Sequence, residues 1–245
     1  MGNNIIIDKA NGMGKWLQSV KISDSLTIPG HWDTNLILKV LLQALPPNEW
    51  AGKKVLDIGA SSGGLSIELA RLGASVFAYE PNDTSRKQFQ YCLDIIKQDQ
   101  NLNIDVKPDT LFHIDRTIKY DVILFLGLVY HFRYPQLVLD YLGNFNSKYF
   151  FVSSQTYKSE DLVMRNRKEI TPQFYGNDIL AGYHPSRRLL KYMLLRAGFS
   201  EVKEIITPET GRDFENRCHI ITNSAYFFMT KSFSVDIESS KDLYM

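Results

Sequence analysis

Cysteine is scarce in this chain: two residues, Cys92 and Cys218, in 245. Two thiols cannot form a disulfide framework, and no CxxC pair or Cys/His cluster stands at ligand spacing, so no metal site is expected. The thiol count fits a reducing compartment. An excess of one charge is equally absent, since 28 Lys+Arg stand against 27 Asp+Glu and leave +1. Without a global field to gather polyanions, a nucleic-acid partner is not expected. Long apolar runs are missing too. The longest, residues 122–130, reaches about half of the roughly 20 residues a membrane helix needs. The opening residues carry three isoleucines without a basic flank, so neither a membrane association nor a signal peptide is expected and the placement reads as cytoplasmic. What is present is apolar residue in quantity, 44% hydrophobic and 12% aromatic, enough for a full core.

Short β-rich runs alternate with helical patterns. Strands are predicted at 54–59, 75–80, 103–107, 121–126 and 149–153, and helices at 35–45, 64–72, 136–142 and 186–197. Another helix follows Asp83, a candidate N-cap, with Phe89, Cys92, Leu93 and Ile96 on one face. Two further strands, 201–206 and 225–231, close the pattern without a long helix between them, which suggests an antiparallel edge. Before the first helix runs an irregular segment carrying Ile28-Pro-Gly-His-Trp-Asp33. The alternation implies an α/β fold, a doubly wound and mostly parallel sheet with helices on both faces and ligands at the strands' carboxyl ends. The chain divides into an N-terminal helical lid (1–49), one sheet domain (50–231) with an insertion at 157–183, and a polar tail (232–245).

The most informative stretch is Val55-Leu-Asp-Ile-Gly-Ala-Ser-Ser-Gly-Gly64, at a strand-to-helix junction. A phosphate-binding loop needs Lys after its second glycine, and Leu65 and Ser66 stand there instead. A dinucleotide fingerprint needs a glycine where Ser61 sits, which weakens an NAD reading. Asp57 at the strand end would repel a phosphate but suits an ammonium or sulfonium ligand. Glu80, ending the next strand, can accept hydrogen bonds from ribose hydroxyls. These features together describe a ligand with amino-acid and ribose ends, such as S-adenosylmethionine (SAM).

That run, followed by Glu80-Pro-Asn82, resembles motifs I and II of class I SAM-dependent methyltransferases across roughly residues 50–231. The resemblance implies a Rossmann-like, seven-stranded sheet. It also implies that Gly59, Ala60, Ser61 and Gly63 surround the methionine part of the cofactor beside Asp57. Glu80 and Pro81 would then sit on the ribose, Asn82 by the adenine, and Asp109 and Thr110 against it from the third strand. Past the fourth strand, Leu126-Gly-Leu-Val-Tyr-His-Phe-Arg-Tyr-Pro135 is similar to a signature of the subgroup that includes the bacterial tRNA wobble-uridine carboxymethyltransferase. Gly127, Tyr130, His131, Arg133 and Pro135 match it in place, and the Trp16 region and Thr27-Ile-Pro-Gly30 look like its N-terminal elements. Ala60-Ser-Ser62 departs from that subgroup's turn, which leaves the acceptor open.

Gly127 permits close ligand approach. His131 is the candidate general base, because an imidazole can take a proton from a hydroxyl near neutral pH; Tyr130 is its catalytic neighbour, with hydrogen bonding to backbone and core packing as the bland alternatives. His31 and Trp32 are placed to close over the site, and Arg133 to meet an anion. The insertion carries Lys158, Arg165, Arg167, Lys168, Phe174, Tyr175 and Tyr183 at the edge where specificity is grafted onto a shared fold. Tyr175 and His184 are the substrate candidates from this region, and Ser186 is a helix cap. His113 and His219 read as structural histidines in apolar surroundings. The expected function is SAM-dependent O-methylation of a small molecule or glycan in a biosynthetic pathway. A tRNA-modifying (carboxy)methyltransferase, an NAD-dependent oxidoreductase on the same sheet, and a SAM-fold subunit without catalysis are the alternatives.

Overall fold

The computed structural model describes residues 2–157, 159–166, 182–205 and 221–230. Lys158, Arg167, Lys168, Phe174, Tyr175, Cys218, His219 and the tail at 232–245 lie outside them. The segment ahead of the sheet holds helix α1 (Asn3–Asn11), strands β1 (Val20–Ser23) and β2 (Leu26–Ile28), and helix α2 (Thr34–Ala44). The stretch read as irregular is therefore ordered: β1 and β2 pair as an antiparallel hairpin, and Asp33 caps α2 by accepting from Asn35 N at 2.9 Å. Ile6, Ala10 and Trp16 bury against the main core, and Trp16 Nε1 donates back to Ala10 O. This N-terminal part is built into the body of the molecule.

The domain then runs β3 (Lys54–Ile58), α3 (Gly64–Arg71), β4 (Ser75–Tyr79), α4 (Asp83–Ile96), β5 (Ile104–Lys107), β6 (Val122–Leu126), α5 (Pro135–Gly143) and β7 (Tyr149–Tyr157). A small pair, β8 (Met164–Asn166) and β9 (Tyr183–Pro185), precedes α6 (Arg187–Arg196), β10 (Glu201–Ile205) and β11 (Ile221–Thr230). The seven-stranded sheet has the order β10-β11-β7-β6-β3-β4-β5, and β11 runs against both neighbours, so the antiparallel pairing falls at that end. β3, β4, β6 and β7 read as nearly unbroken apolar runs because parallel strands are covered on both faces. Alternation still assigns the faces: Val55, Val76, Val122 and Leu124 join one core with Leu65 and Phe89, while Leu56, Ile58, Ile123 and Phe125 join the other with Leu139 and Leu194. Chain order leaves β3 in one direction toward β4 and β5 and in the other toward β6 and β7. A crevice consequently opens at the carboxyl ends of β3 and β6.

Two local readings change. Asn82, not Asp83, caps α4, with Asn82 Oδ1 accepting from Ser85 N at 3.0 Å. Asp83 instead occupies the first turn, where its charge favours the helix dipole and pairs with Arg86 and Lys87, each at 2.7 Å. His113 is exposed rather than enclosed by apolar residues, and its Nδ1 lies 2.9 Å from Thr110 Oγ1. Ser186 does cap α6, accepting from Leu189 N.

Candidate active site

The crevice holds a cavity of about 320 Å³, within the range of small-molecule sites. Its floor is the turn after β3. Gly59 and Ala60 both donate from their backbone N to Tyr79 O, at 2.8 and 3.2 Å, which ties the turn to β4. Gly59 needs its missing side chain, since φ is +72° and a Cβ would sit 2.9 Å from Leu128 Cδ1. Ser61 follows at φ 54°, a left-handed conformation unusual for a residue with a side chain. Its backbone N donates to Glu80 Oε2 at 2.7 Å, while Asn82 N donates to Oε1 at 2.8 Å. Two backbone donors thus hold the Glu80 carboxylate in one orientation, with lone pairs left for the cavity it lines. Burial raises the pKa of Glu80, against the pull of those two hydrogen bonds.

Asp57 lies deeper. It is buried and accepts from Ser66 Oγ at 2.6 Å. Burial pushes its pKa up to about 6, the Ser66 hydrogen bond opposes the rise, and the nearby Glu80 charge adds to it. A cationic ligand group would recover the cost of that buried charge.

The opposite wall comes from the end of β6. Gly127, at φ +68°, donates to Ser153 Oγ at 2.9 Å, and a short 3₁₀ turn, Val129–His131, then carries Tyr130 and His131 to the cavity. Tyr130 is buried and its ring lies 4.5 Å from that of His131 and 5.5 Å from His184 in a near-parallel stack. The N-terminal segment supplies the third wall with Leu17, Gln18, Trp32 and Ile37.

Asp57, Gly59, Ser61, Glu80, Pro81, Asn82, Gly127, Tyr130, His131 and Trp32 therefore meet at one cavity. Other candidates stand apart from its lining. Ala60 is buried beneath the turn, and Gly63 is pressed against the Phe89 ring. Asp109 and Thr110 are exposed beyond β5, so the far end of the cavity is bounded by Pro81, Asn82 and Ser85 instead. His31 is exposed and meets Trp32 edge-on, with centroids 5.0 Å apart. Arg133 is exposed over the Tyr134 ring, and His184 is buried behind Tyr130 instead of facing the cavity. Tyr175 lies outside the described residues. Sequence reasoning missed Leu17, Gln18, Ile37, Leu65, Ser85, Leu126, Leu128 and Ser153. Of these Ser85 carried a local signal, three residues past the capping Asn82. Among the described residues no lysine or arginine lines the cavity, and no group of His, Cys, Asp or Glu could hold a metal. Among them, too, no helix is long and apolar enough to cross a membrane.

The residues fit a SAM-like ligand on three counts. The Glu80 carboxylate is oriented into the cavity, a buried anion at Asp57 answers a cation, and Ser61 Oγ is buried without a partner among the described residues. Solved structures share the fold. The N-terminal domain of EvdMO1 with S-adenosylhomocysteine (SAH) bound superposes at TM-score 0.68 and 18% identity, covering 95% of this chain and 98% of that one. The same domain was also crystallised in the presence of SAH and D-fucose, and the chain covers 48% of the longer EvdMO1 structure. Magnesium protoporphyrin IX methyltransferase (ChlM) from Synechocystis PCC 6803 with bound SAH gives TM-score 0.57 at 18% identity, covering 81% of this chain and 82% of that one. A putative SAM-dependent methyltransferase from Listeria monocytogenes gives 0.58 at 18% identity, covering 81% and 98%. No curated protein sequence matches the chain. A family model described as a methyltransferase domain matches residues 30–204. With most of its length inside that match, from the α2 cap through β10, the chain belongs to the methyltransferase domain family and is a SAM-dependent methyltransferase.

Proposed function

We propose that the protein methylates a hydroxyl of a small, neutral, sugar-like acceptor. The observation that carries this reading is the composition of the cavity. Among the described residues its charged lining groups are two carboxylates, Asp57 and Glu80, both on the cofactor side, and the remaining space is bounded by Trp32, Tyr130, His131 and Ser153 together with Leu17, Ile37, Leu126 and Leu128. Aromatic faces and neutral hydrogen-bonding groups suit a polyhydroxylated ring. A phosphate would meet two buried anions and, among the described residues, no lysine or arginine on this lining. That argues against the pyrophosphate of NAD and against a tRNA backbone alike.

SAM, when bound, would supply an electrophilic methyl carbon, the C–S electron pair staying with sulfur as the methyl passes to the acceptor oxygen. The chain's residues align and deprotonate. Glu80 would hold the ribose and Asp57 the ammonium, and Gly127 leaves room for the acceptor at the end of β6; such orientation is worth about 7–11 kcal/mol in favourable cases. His131 takes the hydroxyl proton.

The direct test incubates the protein with labelled SAM and a panel of deoxysugar glycosides, phenols and bulk tRNA, reading SAH release and labelled product. Label on a glycoside oxygen is the expected result. Salt-sensitive labelling of tRNA in its place would overturn the neutral-acceptor reading.

The raised pKa of Asp57 adds a pH signature. A carboxyl whose folded pKa stands above its unfolded value contributes stability that is present at low pH and lost as pH rises through about 6. Cofactor binding should run the other way, because the ammonium needs the ionised carboxylate. SAH affinity by calorimetry is expected to fall about tenfold between pH 7 and pH 5, as roughly nine in ten Asp57 carboxyls become protonated. In Asp57→Asn that slope should vanish.

A further inference from the structure

Residues 2–29 lie outside the matched family region, yet they complete the cofactor site. The contact runs through Gln18. Its backbone carbonyl accepts from Ser62 Oγ at 3.2 Å, and its side-chain Oε1 accepts from Leu65 N at 3.4 Å. Gly63, the N-cap of α3, has no side chain to offer, so Gln18 caps that helix from the other end of the domain. Thr34 fixes the same segment by donating from its hydroxyl to Ser19 O and from its backbone N to Ser19 Oγ. A Cβ on Gly64 would run into Ser19 O, which shows how closely the segment is laid over the turn.

Gln18 turns Oε1 toward Leu65 N, so Nε2 is its other amide atom; Nε2 donates to no group among the described residues, and the side chain lines the cavity. Asp57 reaches the same turn of α3 through Ser66, the residue after Leu65. In an α-amino acid the ammonium and carboxylate share one carbon. A ligand whose ammonium faces Asp57 must therefore place its carboxylate within a few ångströms, and among the described residues no lysine or arginine lines the cavity to receive it.

We propose that Gln18 Nε2 donates to the α-carboxylate of the cofactor, so that a neutral amide from the N-terminal segment does the work a guanidinium would otherwise do. The inference rests on the SAM reading of the site but not on any acceptor.

Two ligands and two variants test it. SAH carries the amino-acid part, whereas 5′-methylthioadenosine lacks it. In Gln18→Ala the dissociation constant for SAH is expected to rise about ten- to a hundredfold, the range for a lost hydrogen bond to a charged group, with 5′-methylthioadenosine within about twofold of wild type. Gln18→Glu keeps an oxygen for Leu65 N but sets an anion against the carboxylate, so it should fold and cap α3 as wild type while binding SAH at least as poorly as the alanine variant. Equal weakening of both ligands in Gln18→Ala, or wild-type SAH affinity in Gln18→Glu, would overturn the proposal and reduce Gln18 to a cap. If the wild-type protein bound 5′-methylthioadenosine but not SAH, the amino-acid subsite itself would be wrong. If it bound neither, the cofactor reading would fail with it.

Discussion

Replacing His131 with alanine should slow methyl transfer about 10²- to 10⁴-fold, the usual contribution of a positioned general base, while SAH affinity stays within about twofold. The separation follows from geometry. His131 lies on the β6 wall, across the cavity from Glu80 and Asp57, and is held there by its own turn, with its backbone N donating to Leu128 O at 2.9 Å. Removing the imidazole leaves that turn and the cofactor wall in place. Single-turnover SAH release with a saturating acceptor measures the loss, and calorimetry checks that binding survives. Tyr130→Phe keeps the ring stacked on His184 and should cost much less. Full activity in the His131→Ala, Tyr130→Phe double variant would remove both residues from the chemistry while leaving the fold untouched.

Gly63→Ala attacks the site from below. The residue sits at φ +80°, and a Cβ there would enter the Phe89 ring, which is fully buried in α4. The left-handed conformation costs an L-residue about 1–2 kcal/mol, and forced overpacking typically about 1–3 kcal/mol. A total of about 2–5 kcal/mol is a large part of the margin of a single domain. Urea denaturation should show that loss, and SAH binding should weaken because the turn carrying Ser61 moves. The two contributions can be separated: Phe89→Leu in the same chain opens room and should return part of the steric cost but none of the backbone strain. A Gly63→Ala protein as stable as wild type would contradict the packing of α3 on α4.

The parts of this architecture that were legible in the sequence are those decided within a few residues. The buried parallel strands announce themselves because both faces are covered, and the turn from Gly59 to Gly63 because its two end glycines stand at left-handed φ. The cap of α4 slipped by one residue because Asn82 and Asp83 are both good cap formers and only the backbone decides between them. Contacts made across the chain left no local trace. The hairpin of β1 and β2 is too short to show a period, and Gln18 is an ordinary polar residue until α3 is laid beside it. His184 belongs with Tyr130 only after β9 has been brought against the 3₁₀ turn, and the exposure of His113 follows from its own short turn pointing outward.

The place of β11 bears on how the molecule is made. Synthesis proceeds from the N-terminus, so β10 leaves the ribosome before the strand that must lie between it and β7. Until residues 221–230 emerge, β7 presents a nine-residue open edge of Phe150, Phe151 and Val152 with unpaired backbone groups. Such an edge is a template for pairing with another chain. The nascent protein is thus most exposed to misassembly before β11 is made, when the cofactor crevice between β3 and β6 has all its strands and the sheet is still unfinished.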